Sequence, residues 1–156
     1  MLAAADGSKL TVLCANGMVS HCFWMHDAAL LCYLRSPADR DGYHVVDVTT
    51  SNIQPLFNGL LDPLGDGHPH VHGNGFVTDT YPDRHRRQHL LKADLRTGDV
   101  TELGRFHHSF RYGGENRCDL HPRFSPDGKQ VFFDSVCHGR RRLYCMQTAT
   151  PQEGLS

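Results

Sequence analysis

Hydrophobic and polar residues alternate over short runs in this 156-residue chain, and no long stretch keeps a 3.6-residue period. Alternation with period two puts one strand face on a core and the other in water. The chain therefore reads as all-β with little helix. In its middle third the pattern predicts strands over 68–72, 76–80, 88–95 and 100–103. Gly73-Asn74-Gly75 forms a hairpin turn between the first two, because Asn and Gly accept the positive φ that such turns need. Arg96-Thr97-Gly98-Asp99 supplies a second turn. Upstream, the same reading predicts strands over 20–25, 30–35, 42–48 and 53–57. Downstream it predicts 119–124, 130–135 and 141–147, with Ser125-Pro126-Asp127-Gly128 as a turn. Residues 9–14 read as an outer strand of a preceding unit, and 148–156 as a polar tail in place of a fourth strand.

These strands repeat. An offset of 47 carries His21 to His68, Asp27 to Asn74, Asp47 to Asp94 and Leu56 to Leu103. An offset of 53 carries His68 to His121, Asn74 to Asp127 and Asp94 to Gln147. Periods of this size, with several short strands each, indicate four-stranded antiparallel blades of a β-propeller. The blades fall at about 18–58, 65–105 and 117–148 within a single segment, 1–156. Closed propellers have about four to eight blades, so three leave blade faces open. The expectation is a C-terminal portion of a longer propeller, or self-association that covers those faces.

The run Phe124-Ser125-Pro126-Asp127-Gly128-Lys129-Gln130-Val131-Phe132-Phe133 resembles the WD40-like, TolB-type propeller repeat. Three further pieces resemble the oligogalacturonate lyase propellers: Gly65-Asp66-Gly67-His68-Pro69-His70, Thr78-Asp79-Thr80-Tyr81-Pro82-Asp83 and Arg117-Cys118-Asp119-Leu120-His121-Pro122. The resemblance covers about residues 18–147. It implies β-elimination at a uronate: a proton beside the carboxylate is removed and the 4-linked sugar leaves. Such chemistry needs a cation on the carboxylate and developing enolate and a base at the C5 proton. In the family a manganese-type ion held by propeller histidines supplies the cation. That pattern lands on His68, His70 and His121. The family's glutamine upstream of the close histidine pair is replaced here by Gly65, which shifts ligation toward Asp66.

Composition bounds the reading. A formal net charge of −1 gives no bulk attraction to nucleic acid or acidic membranes, and no stretch approaches a membrane-spanning helix. No aromatic-interleaved basic strand supports nucleic-acid binding. The basic runs Arg84-His85-Arg86-Arg87 and Arg140-Arg141-Arg142 fit either solvated loops or an anion-binding rim. Six cysteines show neither Cys-x-x-Cys spacing nor a secreted framework, so they read as reduced thiols in a cytoplasmic protein.

Twelve histidines concentrate the candidate chemistry. His21, His68 and His121 open the inner strands of three blades. Imidazole-rich sites favour divalent transition metals of the Mn, Ni or Zn class. Asp66 and Asp119 each lie two residues before an aligned histidine, as ligands or as acceptors that fix the ring. The candidate metal set is thus His21, His68, His70, His121, Asp66 and Asp119. Structural packing of the aligned histidines is the equal alternative. Arg117 and Arg123 are the candidate carboxylate clamps for catalysis. Arg84, Arg86, His107 and His108 are candidate substrate contacts, the last two in a loop over 105–116. Asp79 reads as a hydrogen-bond acceptor for loop backbone more than as an acid or base. Two functions follow: an acidic-oligosaccharide lyase, or a non-catalytic propeller scaffold for protein–protein interaction.

Overall fold

A computed structural model describes residues 1–148, so most of the expected polar tail lies outside the described residues. The chain divides into two compact units, Met1–Gly67 and His68 onward.

The first unit carries one four-stranded antiparallel sheet in sequence order: β3 (Val19–His26), β4 (Ala29–Arg35), β5 (Asp41–Asp47) and β6 (Ile53–Pro55). Before it, β1 (Leu2–Ala3) pairs with β2 (Leu10–Thr11). The strand expected over 9–14 is therefore only the two-residue β2, whose partner is local. Central β4 is buried along most of its length, and Cys32, Leu34 and Val46 form the core, flanked by Leu13, Cys14, Leu30 and Ile53. The strand expected over 53–57 stops at Pro55 because Phe57 and Asn58 adopt left-handed φ of 49° and 52°. A 3-10 turn, Leu56–Gly59, replaces its end.

The second unit carries two sheets. One runs β10-β9-β8-β7, with β7 (His70–His72), β8 (Gly75–Asp79), β9 (Arg87–Asp94) and β10 (Val100–His107). The other runs β11-β12-β13, with β11 (Arg123–Phe124), β12 (Gln130–Ser135) and β13 (Arg142–Gln147). Val77, Leu90, Leu120, Phe124, Val131 and Phe133 join both sheets in one buried core. Each such side chain contributes about 1.5–3 kcal/mol on burial. The turn Ser125-Pro126-Asp127-Gly128 closes as expected: Ser125 Oγ donates to Asp127 Oδ1 at 2.6 Å and Gly128 N–H to the Ser125 carbonyl at 2.9 Å. Gly128 has φ +71°, and a Cβ there would meet the His72 ring at 2.6 Å, so glycine is required twice over.

In the second unit three more strand bounds differ clearly from expectation. β7 begins at His70 because the His68 N–H is given to a side chain and Pro69 has no N–H. β11 shrinks to Arg123–Phe124 because His121 has φ +44° and Pro122 offers no donor. β10 runs on to His107 through a bulge between Glu102 and Gly104, so the loop expected over 105–116 is shorter. Among the described residues no helix is long and apolar enough to cross a membrane. The architecture is all-β and propeller-type: four-stranded blades with a three-stranded sheet last among the described residues.

Candidate functional site

The second unit assembles one dense polar cluster from three segments. β8 ends on Asp79, which is 1% exposed. Its Oδ1 accepts the His68 N–H at 2.7 Å and the His68 ring Nδ1–H at 2.9 Å. Its Oδ2 accepts the His121 N–H at 3.0 Å. One buried carboxylate thus fixes two histidines that stand 53 positions apart in the chain. Their rings meet with centroids 3.8 Å apart and planes tilted by 42°. Donation from Nδ1 leaves the His68 lone pair on Nε2, the tautomer assignment that a carboxylate partner imposes. The left-handed φ at His121, directly before a proline, costs on the order of 1–3 kcal/mol. The Asp79 bond to its N–H helps hold that conformation.

Tyr81 and Arg117 extend the cluster. Tyr81 stands edge-on to the His68 ring at 6.1 Å, and the Arg117 guanidinium lies over the Tyr81 ring at 4.4 Å. Arg117 Nε–H donates to Asp119 at 2.9 Å. The segment carrying Arg117 and His121 is pinned along its backbone. Arg141 donates to the Arg117 carbonyl at 2.8 Å, Gln88 to the Cys118 carbonyl at 3.1 Å, and the Asp134 N–H to the Leu120 carbonyl at 2.8 Å. A loop without regular structure is therefore fixed by side-chain and backbone donors from the segments around it.

The predicted residues separate accordingly. His68, His121, Arg117 and Asp119 come together. His70 lies on β7 beside Phe124, whose N–H approaches its Nδ1 at 3.4 Å. Burial, then the Arg123 charge, holds the His70 pKa below the usual range. His21 and Asp66 belong to the first unit, where the His21 Nδ1 to Asp66 Oδ1 distance is 3.2 Å. Asp66 also accepts from Ser20 Oγ at 2.6 Å and the Gly67 N–H at 2.8 Å. Among the described residues no group of three or more His, Cys, Asp or Glu side chains is arranged to hold a metal ion. The six-residue metal set is thus not assembled here. Asp79 and Asp119 are already engaged by N–H donors, and the His68 and His121 rings lie against each other, tilted by 42°.

Two expected substrate contacts, His108 and Arg86, bind each other. His108 is fully buried; Arg86 donates to its carbonyl at 2.9 Å and to its Nδ1 at 2.7 Å. Arg86 also covers the Phe110 ring at 4.6 Å, so it props up this loop. Burial, then the Arg86 charge, lowers the His108 pKa. His107 is exposed but ends β10, paired with Arg87. Arg84 is exposed and donates to its neighbour His85 at 3.0 Å. Sequence reasoning missed Tyr81, Gln88 and Arg141 as parts of the site framework. Tyr81 sits inside a quoted family motif and Arg141 inside a basic run, so both carried a signal; Gln88 carried none, since its role depends on a loop distant in sequence.

No family model matches the chain, and no curated protein matches it. Solved structures do. The chain is similar to TolB from Acinetobacter baumannii, with a TM-score of 0.68 and 19% identity over 95% of the chain and 34% of that protein. It is similar to an oligogalacturonate lyase in complex with manganese, with a TM-score of 0.65 and 25% identity over 91% and 39%. An oligogalacturonate lyase from Vibrio parahaemolyticus gives 0.68 and 18% over 94% and 41%. The chain thus spans about two fifths or less of these relatives' length. Sheets, repeat frame and structural neighbours agree that this chain is built of β-propeller blades of the kind found in TolB and the oligogalacturonate lyases.

Proposed function

We propose that the chain is an oligogalacturonate lyase-like module that binds acidic, uronate-containing oligosaccharide through the cluster around His68 and His121. The observation that carries this reading is Arg117 beside the Asp79-fixed histidine pair. A guanidinium suits the planar carboxylate of a uronate, and Arg117 keeps further N–H donors besides the one given to Asp119. It is 46% exposed while its Asp119 partner is 7% exposed, so the charge faces solvent from a fixed base. Arg123, exposed on β11, is the second clamp candidate. The imidazoles of His68 and His121 would hydrogen-bond sugar hydroxyls.

In the lyase reaction the proton beside the carboxylate leaves and the bond to the 4-linked sugar breaks. The described residues do not fit the cation that would neutralise the enolate, so no step is drawn through a metal. A Mn, Ni or Zn ion would need ligands from further blades or from a second copy of the chain.

Calorimetric titration of the purified chain with a short oligogalacturonate tests the reading. Binding that falls at least tenfold in Arg117→Ala is expected. The absence of heat at millimolar ligand would overturn it. Ultraviolet absorbance of unsaturated uronate, followed with and without added manganese, separates binding from elimination.

The second reading is a non-catalytic TolB/WD40-like scaffold for protein contacts. The TolB likeness is as close as the lyase likeness, and Trp24, Phe110 and Leu143 stand exposed at 46%, 81% and 70%. Saccharide-independent capture of a defined protein partner, lost in Leu143→Glu, would favour it.

A further inference from the structure

Three of the six cysteines, Cys14, Cys22 and Cys32, line one small apolar cavity of about 100 Å³ in the first unit, with Leu13, Val19 and Leu30. Two of them are cross-strand partners: Cys22 on edge strand β3 stands opposite Cys32 on β4. Opposed residues in an antiparallel pair point to the same face, with Cα atoms about 4.5–5.5 Å apart. That separation falls inside the window of about 4.4–6.8 Å that a disulfide requires. The register shifts between Val19 and Cys22, and a bulge of this kind gives the edge strand freedom to adjust. Cys14 is differently placed: its Sγ lies 3.9 Å from the Arg35 carbonyl.

We propose that Cys22 and Cys32 form a reversible cross-strand disulfide, a redox modification site that staples edge strand β3 to the core of the first unit. The two thiols have distinct roles. Cys22 is exposed and Cys32 is 4% exposed, so an oxidant reaches Cys22 first. The hydrogen bond from Cys32 lowers the Cys22 thiol to about 7, while the bond to Cys22 and then burial push Cys32 up. Cys22 is therefore the attacking thiolate near neutral pH, and Cys32 donates to it.

With a small organic disulfide as oxidant the balance is simple. The Cys22 thiolate attacks one sulfur of the disulfide, forming a mixed disulfide and expelling one thiolate. Cys32 loses its proton to solvent and attacks the Cys22 sulfur, expelling the second thiolate. The two cysteine sulfurs lose two electrons, the organic disulfide gains them, and two protons leave the cysteines. Reduction by a dithiol reverses both steps. His21 adjoins Cys22 on β3, so the staple would also fix the strand that presents the His21–Asp66 pair.

The test treats the reduced full-length chain with oxidised glutathione at neutral pH. Digestion with chymotrypsin, which cuts between the two cysteines at Phe23 and Trp24, is followed by mass analysis without reductant. The expected result is loss of two of six thiols and a linked Cys22–Cys32 peptide pair. The bridge should persist in Cys14→Ser and vanish in Cys22→Ser. In Cys32→Ser the glutathione adduct should remain trapped on Cys22. A wild-type chain that accumulates the adduct, bridges through Cys14 or links covalently to a second copy overturns the proposal. Thiol mapping on the wild type alone decides it if a serine variant fails to fold.

Discussion

The first blade of Met1–Gly67 and the blade that opens the second unit share one repeat, yet they treat their histidines differently. Their turns agree to the level of single hydrogen bonds. Asp47 Oδ1 accepts the Thr49 and Thr50 N–H groups at 2.8 and 2.9 Å; Asp94 Oδ1 accepts those of Arg96 and Thr97 at 2.7 and 3.1 Å. Ser51 and Gly98 follow at equivalent places, both left-handed at +60° and +80°. The histidine environments do not agree. His68 is bound to a carboxylate of its own blade that is 1% exposed, whereas His21 meets Asp66, which is 18% exposed and follows the blade in sequence. The ladders explain why. Asp79 pairs with Leu90 where the first blade pairs Tyr33 with Tyr43. Tyr33 thus occupies the place of the carboxylate, packed edge-on to Tyr43 at 5.3 Å. A repeat fixes backbone frame; one substitution inside it relocates the polar partner.

Asp79→Ala breaks the contrast most severely. It strands the part-buried His68 and His121 N–H groups, which lose their buried acceptor, and it frees the strained His121 backbone. Urea unfolding should show a loss of about 3–5 kcal/mol, as for removal of one partner from a buried charged network. A loss under about 1 kcal/mol would mean that the carboxylate is not the hub of the cluster. Asp66→Ala, the same truncation on the more exposed pair, should cost less, about 1–2 kcal/mol, since Asp66 also accepts from Ser20 and Gly67. The ratio of the two losses is the sharper measurement, because it removes what the aspartates have in common.

Acid should act on the second unit through its buried His108. The folded pKa of His108 is depressed by burial and then by Arg86. The unfolded chain therefore binds more protons as pH falls through about 6.5, and stability drops there. Thermal melts between pH 8 and 5 should show this decline for the wild type and a shallower one for His108→Gln. The smallest expected effect concerns the shared turn. Ser51→Gly should change stability by no more than about 1 kcal/mol, because relief of left-handed strain opposes the entropy of glycine. Gly98→Ala, which only adds strain, should cost about 1–2 kcal/mol by the same measurement.

Much of the fold was legible from local patterns. Alternation located β4, β5, β8, β9, β12 and β13 to within one or two residues, because each has its own buried face. The elements that came out shorter, β7 and β11, lie next to Pro69 and Pro122, where missing N–H groups break the ladder. The candidate site was legible only in part. His68, His121, Arg117 and Asp119 were visible as ligand-type residues at repeat positions. The contact between Arg86 and His108 was not, since both look like exposed groups until the loop folds back over them.

By itself the sequence determined the repeat frame and the turns, while of the three aligned histidines only His21 lies within a strand; His68 and His121 stand just before β7 and β11. Frame and turns depend on period-two burial and on which residues accept positive φ, both properties of a few neighbouring positions. Only the tertiary structure decided which carboxylate each histidine meets, that Asp79 gathers segments of two successive repeats 53 residues apart, and that Cys22 faces Cys32. Those outcomes depend on strand register and on what is desolvated against what, and neither quantity exists until the sheets have packed.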